Sequence, residues 1–212
     1  MMEITPSQIC CGIIIVSIMA IMIIGILIGF GYKKWKDRTK PVHDHHTRET
    51  FLVQNNKDEP EWVGQEVAKR LGKLTQNGDL LIEYFVKEQL PHSKRLAKRW
   101  RRIRKNPRGI RETGSVEQPA AYTVNKSEQM RICIRKPGSQ GELEDLNTSM
   151  LVLLHEMAHM MSHSYGHGQE FRTNFALITN VAVRLGLYNY VDYSKNPTSY
   201  CNTKITHSPY IA

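Results

Sequence analysis

The sequence predicts an α+β domain, with helices around a small antiparallel sheet, preceded by one N-terminal transmembrane helix. Three observations carry this. Ile9 to Phe30 is an apolar run without a charge, apolar residues recur at three- and four-residue spacing in several segments, and one segment between them alternates with period two.

At about 1.5 Å per helical residue the first run reaches roughly 33 Å, enough for a hydrocarbon core. A secretory signal is the competing reading, but Met1 to Gln8 holds Glu3 and no Lys or Arg, and no small-x-small site follows. Lys33, Lys34, Lys36, Arg38 and Lys40 then stand against Asp37 alone, with Tyr32 and Trp35 at interfacial depth. The positive-inside tendency leaves the N-terminus outside and the C-terminal domain in the cytosol or inside a virion. The chain therefore divides into a flank (1–8), a membrane helix (9–32), a basic juxtamembrane segment and polar linker (33–60) and one domain (61–212). His43, His45 and His46 fall in the linker and are read as solvated residues, not metal ligands.

From Pro60, a first helix carries Trp62, Val63, Val67, Leu71 and Leu74, and a second, after Asp79, carries Leu80, Leu81, Tyr84, Phe85 and Leu90 up to Pro91. A third runs from about Ser93 to Lys105, with Leu96, Trp100 and Ile103 on one side. The stretch from Lys94 to Glu112 holds ten of the chain's 29 Lys and Arg and one of its 20 acids, so the net charge of +9 is a local feature. Lys94, Arg95, Lys98, Arg99, Arg101, Arg102, Arg104 and Lys105 are candidate contacts for nucleic-acid phosphates or an anionic leaflet; the plain alternative is a solvated outer face.

After a loop rich in Gly and Pro, Tyr122–Asn125 and Met130–Arg135 read as paired strands joined by Lys126 to Gln129. In the second, Met130, Ile132 and Ile134 alternate with Arg131, Cys133 and Arg135. Cys10, Cys11, Cys133 and Cys201 show no framework spacing, which fits a reducing compartment, with Cys201 a buried thiol.

Asp145 or Asn147 caps the next helix, in which Met150, Leu151, Leu154, Met157, Ala158 and Met161 form the buried stripe. His155 and His159, four residues apart, stack on one side, so both imidazoles can reach one zinc ion at about 2 Å. Glu156 follows the first ligand directly, where its carboxylate suits a general base rather than a ligand. His167, between Gly166 and Gly168, is the favoured third ligand; His163, one turn beyond His159, competes. Ser162 and Tyr165 occupy the positions where the metzincin pattern needs Gly and His, which excludes that class. The following helix, with Phe171, Phe175, Ile178, Val181, Ala182 and Leu185 before Gly186, is read as core that presses His167 toward the metal.

Leu154-His155-Glu156-Met157-Ala158-His159, followed by Gly166-His167-Gly168-Gln169-Glu170-Phe171, resembles the WLM and SprT-like minimal zincin metallopeptidases, most nearly the membrane-anchored versions of giant DNA viruses. Tyr122 to Lys126, Asp192 to Pro197 and Tyr200-Cys201 extend the likeness. One departure is that His167 lies eight residues after His159 where members outside the viral group have six. The resemblance implies a zincin-like fold, zinc, peptide hydrolysis and, in cellular branches, action on proteins crosslinked to DNA. The expected activity is a zinc-dependent metalloendopeptidase with Glu156 as base and a second oxyanion donor among Tyr165, Tyr188, Tyr190, Tyr200 and His207. The alternatives are a membrane-anchored nucleic-acid-binding or virion structural protein with a non-catalytic zinc, and a relative that has lost catalysis.

Overall fold

The computed structural model describes residues 17–27, 39–56, 58–113, 120–139 and 141–209. Residues 17–27 are helical, with Ile18, Ile21 and Leu27 exposed. They belong to a separate unit, Met1–Arg38, and the rest of the predicted span lies outside the described residues. Among the described residues no helix is long and apolar enough to cross a membrane.

The second unit, Thr39–Ala212, begins inside the segment read as linker. Thr39–Asp44 (β1) and Glu49–Gln54 (β2) form an antiparallel hairpin, and Phe51 and Val53 on β2 are buried. That corrects the linker. The polar composition of the stretch belongs to an edge strand, β1, which tolerates Pro41 because its outer side makes no ladder bond. The hairpin turn is closed by Asp44, whose carboxylate accepts from the N–H groups of His46 and Thr47.

Glu61–Lys87 (α1) is one helix of 27 residues, where two were expected. It continues through Asn77-Gly78 because Leu71, Leu74, Leu81 and Phe85 form one buried stripe. Gly78 costs about 1 kcal/mol of helix propensity, yet it admits the Trp100 indole, which a Cβ there would overlap. The indole N–H donates to Asp79 at 2.7 Å. Ser93–Lys105 (α2) spans the expected range and buries Leu96, Ala97, Trp100 and Ile103.

Ile110–Glu112 (β3), Ala121–Val124 (β4) and Gln129–Ile132 (β5) complete a five-stranded sheet in the order β1-β2-β3-β5-β4. The sheet is mixed, not antiparallel. β3 runs parallel to both β2 and β5, and α1 with α2 supplies the long crossover that a parallel neighbour requires. Sequence periodicity misses β3 because two of its three residues, Arg111 and Glu112, are charged. Glu112 is fully buried against Arg135, which also pairs with Glu59 at 3.1 Å. Arg135, expected on the open face, is therefore interior.

Leu146–Met161 (α3) is capped by Asp145, which accepts from the Thr148 N–H at 2.7 Å, and Gln169–Arg184 (α4) packs beside it. A small hairpin, Thr198–Tyr200 (β6) and Thr203–Ile205 (β7), follows. Cys201 in its turn is disulfide-bonded to Cys133, 68 residues away. This corrects the free thiol and removes cysteine usage as support for a reducing compartment. Spacing could not show the pair, since only the folded chain brings the end of β5 to the hairpin.

Candidate metal centre and cleft

The Nε2 atoms of His155, His159 and His167 lie 3.2, 3.2 and 3.0 Å from one another, and they form a metal-capable cluster of the described residues. Ligands at about 2.0–2.1 Å around a tetrahedral zinc are separated by roughly 3.3 Å. The residues fit that ion: three imidazole nitrogens converge, and a tetrahedral site would keep one position open. Burial, aided by the neighbouring histidines, pushes His155 down to about 3. Burial, then His167 and Lys126, pushes His159 down to about 4, so both rings are neutral, as ligation requires, at physiological pH.

His163, the competing ligand, is not on the helix at all. α3 ends at Met161, and His163 is turned to the Arg95 guanidinium. The helix stops there because its last carbonyls find cations instead of further helix. Arg95 donates to the Met161 carbonyl, Arg99 to those of Met160 (2.6 Å) and Ser162 (3.0 Å), and the Lys126 ammonium to those of His163 (2.8 Å) and Ser164 (2.7 Å). Positive charge at a helix C-terminus is favourable as well as satisfying orphan carbonyls. Lys126 reaches this place because it and Asn125 adopt left-handed backbone in the β4–β5 turn, φ 58° and 46°.

The loop carrying His167 is held from its other side by Glu170. Its carboxylate accepts from the His163 N–H (2.8 Å), the Ser164 N–H (3.0 Å) and the Ser164 hydroxyl (2.6 Å), and these bonds hold its pKa down to about 2. The Phe171 ring lies 4.8, 4.3 and 4.7 Å, centroid to centroid, from His155, His159 and His167. Sequence reasoning reached Phe171 but missed Lys126 and Glu170, whose roles depend on contacts between elements.

Glu156 is buried, and burial pushes its carboxyl up to about 7 despite the hydroxyl and N–H that Thr123 donates to it. Thr123 lies on β4, the free edge of the sheet beyond β5. The Cys133 N–H bonds the Ala120 carbonyl, so alternation turns the backbone groups of Ala121 and Thr123 outward from that edge.

His155, Glu156 and His167 open on a cleft of about 890 Å³. Of the five oxyanion candidates, His207 and Tyr200 line it. Tyr200 is fully buried, and its hydroxyl donates to the Cys133 carbonyl and lies 3.2 Å from the Ser149 hydroxyl, which pins β6 to the sheet. Tyr188 is buried, Tyr165 is 85% exposed against Lys126, and neither they nor Tyr190 line the cleft. His207 is exposed, with Nδ1 2.7 Å from the Thr206 hydroxyl. Phe171 and Phe175, expected as core, line the cleft too.

No family model matches the chain. Its relatives are viral. It is similar to an uncharacterized protein of Acanthamoeba polyphaga mimivirus, 29% identical over 196 residues, which spans 91% of this chain and 95% of the relative. An uncharacterized protein of invertebrate iridescent virus 6 is 36% identical over 74 residues, 34% of this chain and 41% of that one. The crystal structure of Wss1 from Saccharomyces cerevisiae aligns with a TM-score of 0.39 and 14% identity, over 69% of this chain and 98% of the solved chain.

The predicted basic face divides into two. Arg95 and Arg99 hold α3, Arg104 pairs with Glu49 and Asp79, and Arg102 meets the Ser127 hydroxyl at 3.4 Å. Lys94, Lys98, Arg101 and Lys105 are exposed, without a side-chain partner among the described residues. Their spacing, i, i+4, i+7 and i+11, sets them in one stripe along α2.

Proposed function

We propose that the domain is a zinc-dependent metallopeptidase in which His155, His159 and His167 hold the ion and Glu156 is the general base. The observation that carries this is the convergence of three imidazole nitrogens within 3.2 Å at the wall of a cleft that also contains a buried carboxylate. Zinc, when bound, supplies a Lewis acid that acidifies water and polarises a carbonyl. Glu156 accepts the proton of the attacking water and returns it to the leaving amine; a carboxyl pushed up to about 7 suits both steps. Thr123 orients that carboxylate. The outward backbone of Ala121 can pair with an extended substrate, which places a peptide along the sheet edge. His207 is the cleft group suited to donate to the developing oxyanion; His207→Ala should lower kcat about 10²-fold with KM little changed, and an unchanged kcat removes it from the mechanism.

The enzyme is anchored by the apolar run 9–30 and acts on membrane-proximal or polyanion-associated proteins. The unpartnered stripe Lys94, Lys98, Arg101 and Lys105 supports the second of these, since phosphate contacts need only clustered cations. The Cys133–Cys201 disulfide fits an oxidising compartment better than reduced cytosol.

The test uses the full chain in detergent micelles, loaded with zinc, on casein and on DNA-bound protein. Wild type should bind about one zinc and cleave, and Glu156→Gln should keep the zinc and lose at least about 10²-fold in rate. Zinc-loaded wild type inert on every substrate, with and without DNA, would leave the structural-zinc alternative. Titration with duplex DNA and with anionic vesicles at graded salt decides the role of the stripe, and no binding to either at low salt reduces it to a solvated face.

A further inference from the structure

The wall of the cleft carries information about substrate that the metal centre does not. Leu151 and Val152 on α3 lie one helical turn before His155 and Glu156, and with Phe175, Ala176 and Ile205 they make an apolar floor beside His155 and His167. The Phe175 ring stands 5.2 Å from that of His155, so the floor begins where a residue next to the scissile bond would sit. Two cations stand at its rim. Arg172 on α4 precedes Phe175 and Ala176 by three and four residues, and Lys204 lies on β7 next to Ile205. Both are exposed, and neither has a side-chain partner among the described residues. Among the lining residues the one carboxylate is Glu156, which is buried and held by Thr123. The cleft is thus apolar below and uncompensated in positive charge above.

Resting on the peptidase reading, we propose that this cleft selects extended peptides with a bulky apolar residue beside the cut and acidic residues flanking it. The apolar side chain fills the floor, and flanking carboxylates meet Arg172 and Lys204. Low-dielectric walls focus the field of the two cations into the cleft. Exposed ion pairs are individually weak, so the two together set a preference of about tenfold and not an absolute requirement.

The experiment uses the zinc-loaded full chain in micelles and fluorogenic peptides with a central Phe or Ala, flanked by Glu, Gln or Lys. kcat/KM should rank Glu over Gln over Lys, about tenfold between the extremes, and Phe over Ala. Added salt should narrow the charge ranking and leave the Phe preference. The double variant Arg172→Glu with Lys204→Glu should invert the Glu-to-Lys ratio, with its melting temperature reporting that the fold is intact. Equal cleavage of Glu and Lys peptides, with cleavage observed, overturns the inference and leaves the peptidase reading standing. Binding of the same peptides to Glu156→Gln, followed by anisotropy, separates the two. If nothing is cleaved but Glu peptides bind about tenfold tighter, the peptidase reading falls and the recognition stands; equal binding overturns the recognition.

Discussion

His163 and His167 show how one side chain's role depends on its neighbours. Both follow His159 in a short loop, but Arg95 takes His163, and Gly166, with φ 82°, lets the chain return His167 to the cluster. His167→Ala should drop bound zinc well below one per chain, whereas His163→Ala should keep it, as read by metal analysis after dialysis; the opposite pattern would exchange the two ligands. Glu170 sets a pH dependence at the same scale. Its carboxyl, lowered from 4.5 to about 2 by the His163 and Ser164 donors, binds fewer protons in the folded than in the unfolded state between those values. Its contribution to stability is therefore complete above 4.5 and lost as pH falls through about 2. Glu170→Gln should flatten that part of the melting-temperature profile, and an unaltered slope would deny the carboxylate this role.

At the scale of elements, α1 illustrates packing overriding a local break. Asn77-Gly78-Asp79 reads as a boundary, yet the Trp100 indole seated on Gly78 and bonded to Asp79 makes the helix continuous. Gly78→Ala gains about 1 kcal/mol of helix propensity, but overpacking against the indole costs about 1–3 kcal/mol, so a net loss of stability is expected in urea unfolding. A stabilised variant would mean that α2 shifts freely on α1. The same packing draws part of the cationic face of α2 into the fold, since Arg95 and Arg99 finish α3, with Lys126 from the β4–β5 turn. What is left for a partner is the outer stripe.

Across the whole domain, the C-terminal hairpin joins stability to the cleft. Tyr200 and the Cys133–Cys201 bond fasten it to the end of β5, and the residues just after it, including His207, form one wall. A loop of 68 residues closed by a disulfide is worth about 4 kcal/mol in chain entropy. Cys201→Ser should lower stability by up to that amount and raise KM for peptides more than it lowers kcat. Equal stability with and without a reducing agent would show that the bond is dispensable.

From residue 61 onward the helices, apart from the break expected within α1, the β4–β5 hairpin and the His155–His159 pair are legible in the sequence itself, because each depends on contacts within a few residues: helical spacing, alternation, a cap, two imidazoles one turn apart. His167 was legible as a candidate for the same reason, standing between glycines just past a helix. The membrane helix, drawn from composition alone, lies largely outside the described residues. Tertiary structure alone decided the rest. It drew the supposed linker into the sheet as β1 and β2, and set β3 with its buried Glu112 between two hairpins. It turned His163 away, joined Cys133 to Cys201, and tied the Tyr200 hydroxyl to the Cys133 carbonyl while leaving His207 exposed in the cleft. Each of these rests on groups separated by tens of residues, whose meeting is set by how layers pack and not by any local periodicity.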